Sequence, residues 1–251
     1  MREPRLTGIY RYPVKSMQGE GLAAGMLTEH GVPGDRRWGV VDVETGAVLS
    51  AKREARLMEA TAYTSGGSVR VRLPDGQLLG PGEDADAVLS QWLGRQVALA
   101  DATARAGRYE MHVDNVDDAS PVIELPCPPD TFFDAAAVHL LTTASVRTMQ
   151  ARQPSSTWDL RRFRPTLLVE ADGEGFPEDD WIGRTVSVGA IELAVFAPTV
   201  RCRMTAHQQP GLDRDIDVTK AVNREHGGNL GVYAVVRVPG RVAVGDAVTV
   251  G

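Results

Sequence analysis

The run Ser68-Val69-Arg70-Val71-Arg72-Leu73 alternates apolar and charged residues and is stopped at once by Pro74-Asp75-Gly76. Period-two alternation puts Val69, Val71 and Leu73 on one face and Arg70 and Arg72 on the other, the pattern of a strand with one buried side. Gly76 supplies the positive φ that such a turn requires. The same grammar recurs along the chain. It predicts strands over residues 6–12, stopped by Pro13, and over 38–43, turned at Glu44-Thr45-Gly46 into 47–49. Further strands are predicted over 138–142, 185–188, 191–196, 230–238 and 241–250. Residues 163–169 also read as a strand, which Pro165 makes either an edge or a late starter.

Helical spacing is sparse. Ala85, Val88, Leu89, Trp92 and Leu93 share a face, with Asp84 placed to cap and Gly94 to end the helix. A second helix runs to Arg152 from a start marked by Thr142 or Thr143. A third covers about 218–224 and is closed by Gly227-Gly228. Strands outnumber helices, and no regular exchange of strand and long helix points to a doubly wound sheet. The fold predicted is mainly β (α+β): two β-rich lobes, at least one of them barrel-like.

Between residues 103 and 134 the pattern lapses. Asp114, Asp117, Asp118, Pro121, Pro126, Pro128 and Pro129 read as an irregular connector with little regular hydrogen bonding. Placing the boundary there divides the chain into 1–110 and 111–251, with Cys127 inside the connector and without chemistry. A net charge of −6 argues against a nucleic-acid partner. Two cysteines make no disulfide framework and fit a reducing compartment. The start Met1-Arg2-Glu3-Pro4-Arg5 lacks a signal-peptide core, and no apolar run reaches membrane-spanning length. The expectation is a cytoplasmic protein with no membrane partner.

Several short stretches carry possible chemistry. After the strand over 191–196 comes Ala197-Pro198-Thr199-Val200-Arg201-Cys202-Arg203. Two guanidinium groups beside a thiol stabilise the thiolate, which suits a metal ligand or a nucleophile. The bland reading is a half-buried cysteine between solvated arginines. Tyr12-Pro13-Val14-Lys15-Ser16 sets an ammonium beside a hydroxyl, a corner for phosphate or a solvated loop. In Asp35-Arg36-Arg37-Trp38, alternation turns Arg36 with Trp38 and Arg37 away, so one arginine can face a cleft; a surface pair with Asp35 is the plainer option. Leu141-Thr142-Thr143-Ala144-Ser145 offers an anion site or ordinary helix capping. Arg161-Arg162-Phe163-Arg164-Pro165-Thr166 crowds three cations around a ring, which calls for an anion or for the acids of residues 170–180. The five histidines show no paired metal spacing, and no dinucleotide fingerprint, P-loop or serine elbow occurs.

Taken in order, and with the closing Asn229-Leu230-Gly231-Val232-Tyr233, these stretches resemble the MOSC family, the domain shared with the C-terminus of molybdenum cofactor sulfurases. The likeness covers nearly the whole chain and is closest to the mitochondrial amidoxime-reducing component and its bacterial relatives. It implies an N-terminal β-barrel-type lobe over 1–110, a MOSC β-barrel with a few short helices over 111–251, and molybdopterin in the cleft between them. By that likeness Cys202 is the protein thiolate on molybdenum. Lys15, Ser16 and Arg36 contact the pterin phosphate or its surroundings. Thr142, Thr143 and Arg164 line the other side, with Thr166 and Arg201 also on the cofactor. A soft thiolate suits molybdenum already held by dithiolene sulfurs, and a phosphate needs scattered cations.

The chain departs from the family at two of these places. Thr166 stands where relatives often carry asparagine, and Lys52 where an arginine is usual. The activity implied is reduction of an N-hydroxylated small molecule by a molybdenum-dependent oxidoreductase. No ferredoxin-like cysteine cluster occurs, so electrons are expected from a separate protein of ferredoxin, flavin reductase or cytochrome b5 type. A molybdenum cofactor carrier, or a sulfur carrier using a Cys202 persulfide, needs the same residues. Loops 172–180 and 207–212 are the expected shapers of the substrate entrance.

Overall fold

The structure is a computed structural model and describes residues 3–112 and 122–251. Strands dominate, as the alternation predicts. In chain order they are β1 (Arg5–Arg11), β2 (Glu20–Leu22), β3 (Ala24–Leu27), β4 (Trp38–Asp42), β5 (Thr61–Ser65), β6 (Ser68–Arg72), β7 (Leu78–Leu79), β8 (Val97–Asp101), β9 (Arg108–His112) and β10 (Val122–Pro126). They continue as β11 (Val138–Thr142), β12 (Leu167–Glu170), β13 (Thr185–Val188), β14 (Ile191–Val200), β15 (Asn229–Val238), β16 (Gly240–Ala243) and β17 (Val248–Val250). The helices are α1 (Glu83–Leu93), α2 (Thr143–Arg152) and α3 (Ile216–His226).

Eight strands form one sheet in the order β17-β13-β14-β15-β11-β12-β1-β2. Only β11 and β12 run parallel, joined by the crossover through α2. β12 begins after Pro165 and lies inside the sheet, so the proline precedes the ladder instead of marking an edge. One face of the sheet buries Leu6, Ile9, Leu140, Leu167, Leu193 and Val232 in its core. α2 and α3 close a second core around Met149, Trp158, Phe163 and Val222.

A separate core gathers β4, β5, β6 and α1, with Val69, Val71, Leu89 and Leu93 buried in it. Val69 and Val71 point in and Arg70 and Arg72 out, as alternation requires. Gly94 ends α1 in the left-handed region, φ 64°, but Gly82 is the N-cap and Asp84 lies in the first turn. There its carboxylate favours the helix dipole instead of capping it.

The structure departs from the sequence reading elsewhere too, and β14 runs on to Val200 beyond the predicted end at residue 196. Hydrogen bonds among the described residues do not close the large sheet into a barrel; β17 and β2 are its edges. The connector is partly regular, since β9 and β10 pair as an antiparallel ladder. Asp114, Asp117, Asp118 and Pro121 lie outside the described residues. The strand expected over 241–250 is two, β16 and β17, separated by a turn at Gly245, φ 101°. Residues 47–49 contribute a single bridge, Val41 to Val48. The first strands also pair across a long span of sequence, β1 with β12 and β3 with β16.

Candidate functional site

The corner at residues 12–16 is built by its proline and by the strand beside it. Pro13 leaves the β1 ladder, and Lys15 N donates to Trp38 O at 2.8 Å while Trp38 N donates to Pro13 O at 2.9 Å. These bonds set the Lys15-Ser16 corner alongside Arg36. Tyr12 joins the next piece. Its ring lies under the Arg164 guanidinium at 4.1 Å and the Arg36 guanidinium at 4.8 Å, and its hydroxyl donates to Pro165 O at 3.0 Å. Stacking on an aromatic face partly offsets the repulsion between two cations.

These contacts line a cleft of about 320 Å³. Of the residues expected at the site, Lys15, Ser16, Arg36, Arg164, Thr166, Arg201 and Cys202 all line it. Thr142 and Thr143 do not. Thr142 is fully buried, accepts from Ser145 N as the N-cap of α2, and donates to Glu178 Oε2 at 2.6 Å. Thr143 Oγ1 accepts from Ala171 N and Arg147 Nη1. Helix capping engages the Thr142 hydroxyl, and the Ala171 N–H and the Arg147 guanidinium engage that of Thr143. Loops 172–180 and 207–212 are likewise absent from the lining; the 132–136 and 199–205 segments supply it instead.

Backbone strain gathers at the cleft. Four described non-glycine residues have positive φ, and three of them, Ser16 at 68°, Arg36 at 47° and Arg164 at 53°, line it. Each such residue costs roughly 1–3 kcal/mol and persists only where its surroundings over-determine it. Arg36 N donates to Tyr12 O, Arg36 O accepts from Phe132 N, and Arg164 N donates to Leu160 O. Ser16 Oγ accepts from Ala51 N at 2.9 Å.

Within the arginine cluster, Arg161 pairs with the Asp159 carboxylate, while Arg162 and Arg164 are held by main-chain oxygens. Arg162 donates from Nε to Thr157 O, from Nη1 to Thr205 O and His207 O, and from Nη2 to Asp213 O. Arg164 Nη1 donates to Met17 O. Arg201 donates to Leu230 O and Phe163 O and meets His139 Nε2. Backbone carbonyls hold these cations, while Glu178 is bound by Thr142 and Ser145, and Asp179 by His226. Burial lowers Arg164 and Arg201 to about 10 each, with the neighbouring Arg36 adding to the effect on Arg164. Both stay cationic at neutral pH.

His139 is the residue that sequence spacing passed over. Arg201 Nη2 can only donate, so His139 Nε2 accepts and Nδ1–H donates to Arg164 O at 3.3 Å. Burial first, and Arg201 second, push its pKa well below the usual imidazole value. It is a neutral strut between the two arginines that flank the cleft. Gly231 makes room for it: a Cβ there would fall 2.4 Å from His139 Nε2, and φ is 82°.

Cys202 is free and half-buried, at the start of the 3-10 turn Arg203–Ala206. Arg201 and Arg203 flank it in sequence, yet the Arg201 side chain runs inward to carbonyls. Nearby, Thr199 sits in the irregular step of β14 between Pro198 and Val200 and is 2% exposed. Its hydroxyl has no hydrogen-bond partner among the described residues. A bulge re-aims side chains beside a site, and an orphaned buried hydroxyl calls for a partner.

Among the described residues the lining carries six cations, Lys15, Arg36, Lys52, Arg162, Arg164 and Arg201, and one carboxylate, Asp134. A soft thiol donor, cationic corners and an orphaned hydroxyl in one cleft fit a phosphate-bearing, thiolate-ligated metal cofactor. No group of three or more His, Cys, Asp or Glu able to hold a bare metal ion occurs among the described residues. No helix there is long and apolar enough to cross a membrane.

Comparison with known proteins agrees with this architecture. The chain is similar to the molybdenum cofactor sulfurase of Drosophila erecta, 24% identical over 94% of this chain and 32% of the relative. It is similarly related to that of Anopheles gambiae, 24% identical over 92% and 34%. The chain thus spans about a third of the length of these relatives. Among solved structures, the YUAD protein from Bacillus subtilis shares the fold at a TM-score of 0.50 and 10% identity, covering 99% of this chain and 96% of that one. Residues 3–106 match the MOSC N-terminal beta barrel domain and residues 128–249 the MOSC domain. The chain belongs to the MOSC family.

Proposed function

We propose that this protein is a molybdenum-cofactor-dependent oxidoreductase that reduces N-hydroxylated compounds. The observation that carries the reading is a free, half-buried thiol in a cleft lined by six cations and one carboxylate. Asp35 pairs with Arg36 from behind the lining, and the remaining excess of cations favours an anionic occupant. The names of the sulfurase relatives support molybdenum cofactor as that occupant.

When bound, the cofactor supplies the two electrons that, with two protons, convert N–OH to N–H and water. The chain's own residues hold and orient it. Cys202 Sγ would be the protein ligand to molybdenum. Lys15, Lys52 and Arg36 would meet the phosphate, and Arg164 the pterin. Thr199 Oγ1 is a donor waiting for an acceptor. Tyr233 lines the cleft as a phenol that burial keeps protonated, against the opposing pull of Arg201. Electrons would come from a separate donor protein of ferredoxin, flavin reductase or cytochrome b5 type.

The test is turnover of benzamidoxime by cofactor-loaded protein with an artificial electron donor. The reading predicts reduction by the wild type and none by Cys202→Ser. The sulfurase relatives also favour a second reading, a protein that carries the molybdenum cofactor or, through a Cys202 persulfide, its sulfur. A loaded protein that gives no turnover supports carriage. Sulfur on Cys202 without molybdenum supports the persulfide.

A further inference from the structure

Among the described residues, Asp134 is the single carboxylate in the cleft lining. Its Oδ1 pairs with Lys15 Nζ and its Oδ2 with Lys52 Nζ at 3.4 Å. The two lysines come from separate stretches of the chain, and the aspartate from a third. The acid rides on an irregular strap pinned at both ends. Phe132 is fully buried where Gly39 and Gly107 leave room for its ring; a Cβ on Gly107 would approach that ring to 2.5 Å. Val138, fully buried, begins β11 at the other end. The pinned end also matters to the lysine, since Lys15 Nζ donates to Phe132 O at 2.7 Å. Between the pins the Asp134 side chain is about a third exposed, at 34%.

Burial opposes the charge on Asp134, but Lys15 and Lys52 outweigh it and hold the carboxyl below its usual range. The carboxylate is therefore ionised at neutral pH. It also acts on Arg36, Arg164, Tyr233 and Cys127. It is a tethered anion on the cationic floor, present at an effective concentration of the order of millimolar or above.

We infer that Asp134 is a displaceable counter-ion that makes the Lys15–Lys52 pair selective for a dianionic phosphate group over monoanions. A carboxylate ligand would only exchange one monoanion for another and lose the advantage of the tether. A phosphate monoester carries about −1.5 to −2 at pH 7 and three acceptor oxygens, so it gains on the exchange. Asp134 thus acts as a specificity-determining residue. The inference rests on the proposed function only in seating a phosphate-bearing ligand in this cleft.

The test is calorimetric titration of the full chain with inorganic phosphate and, separately, acetate. Wild type, Asp134→Asn and Asp134→Ala are compared, with Lys52→Met as a control. The expected result is phosphate binding tightened about tenfold or more in both Asp134 variants, in line with removal of an internal competitor. Acetate binding should appear in both, and Lys52→Met should weaken phosphate. Should Asp134 merely hold the lysines in place, both variants would bind phosphate more weakly than wild type, and the inference fails. It fails equally if no form binds phosphate. Molybdenum retention by wild type and by Cys202→Ser is scored apart, so loss of the counter-ion idea and loss of the cofactor reading are separate outcomes.

Discussion

Replacing Arg162 with methionine removes one guanidinium while keeping most of its volume, and with it four donors to main-chain oxygens. Three of the four acceptors, Thr205 O, His207 O and Asp213 O, belong to the loop that follows Cys202, and Arg162 is 2% exposed. Hydrogen bonds from a charged donor contribute roughly 1.5–3 kcal/mol each, so a simple sum would be about 6–12 kcal/mol. That sum overshoots. The cation is itself costly to bury, and burial lowers its pKa. Loops also relax, and water reaches some of the freed carbonyls. Breaking one partner of a buried charged network costs about 3–5 kcal/mol. For a chain of this length each kcal/mol moves Tm by about 2–4 °C, so the drop should be about 6–20 °C. Thermal unfolding followed by circular dichroism measures it. Amide exchange at Thr205 and His207, whose N–H groups close the turn after Cys202, should speed up in the same variant. A Tm within about 2 °C of wild type, with exchange unchanged, would refute the idea that Arg162 clamps the cysteine loop.

Other substitutions separate structural from binding roles. Thr199→Val should leave the cofactor-free protein as stable as wild type, or more so, because the hydroxyl it removes has no partner. It should nonetheless weaken retention of pterin, read by fluorescence of the released cofactor, and Thr199→Ser should restore it. A marked loss of cofactor-free stability would mean that the hydroxyl is bonded within the chain. His139 has a folded pKa depressed below the ordinary 6.5. The unfolded chain therefore takes up a proton that the folded chain refuses, and stability falls as pH drops through about 6.5. His139→Gln should flatten that part of a denaturation-versus-pH profile; an unaltered slope would assign the acid sensitivity elsewhere. Glu178 is fully buried with a carboxyl raised by burial, against the donors of Ser145 and Thr142. Its favourable contribution is complete below the ordinary carboxylate range and is lost as pH rises through the folded value. Glu178→Gln should accordingly gain stability relative to wild type at pH 8 compared with pH 4, and a constant difference would contradict this.

Strands were legible where alternation is local, as at Ser68–Arg72 and over 191–196, because period two needs only neighbours to be read; β14 runs on to Val200, past the predicted end. Pairing partners were not. β1 binds β12 across more than half the chain, and no pattern within residues 5–11 encodes that. The β9–β10 ladder was hidden because Pro126 and its neighbours dominate the composition of a stretch whose pairing depends on main-chain groups. The site was legible as a set of corners, since Lys15 and Ser16, Arg36, and Val200 to Cys202 all line one cleft. The direction in which each cation points was not. Arg201 and Arg162 look like anion binders in sequence yet are spent on carbonyls; Thr142 looks like part of an anion site yet caps a helix, and Thr143 binds Ala171 N and Arg147. His139 and Asp134 carry no spacing signal; both act through residues distant in sequence.

Molybdenum per chain, measured by mass spectrometry on protein loaded with cofactor, bears most directly on whether the Cys202 sulfur holds the metal. The account predicts near-stoichiometric molybdenum in the wild type and little in Cys202→Ser, with the two unfolding at the same temperature. Equal molybdenum in both proteins would contradict it.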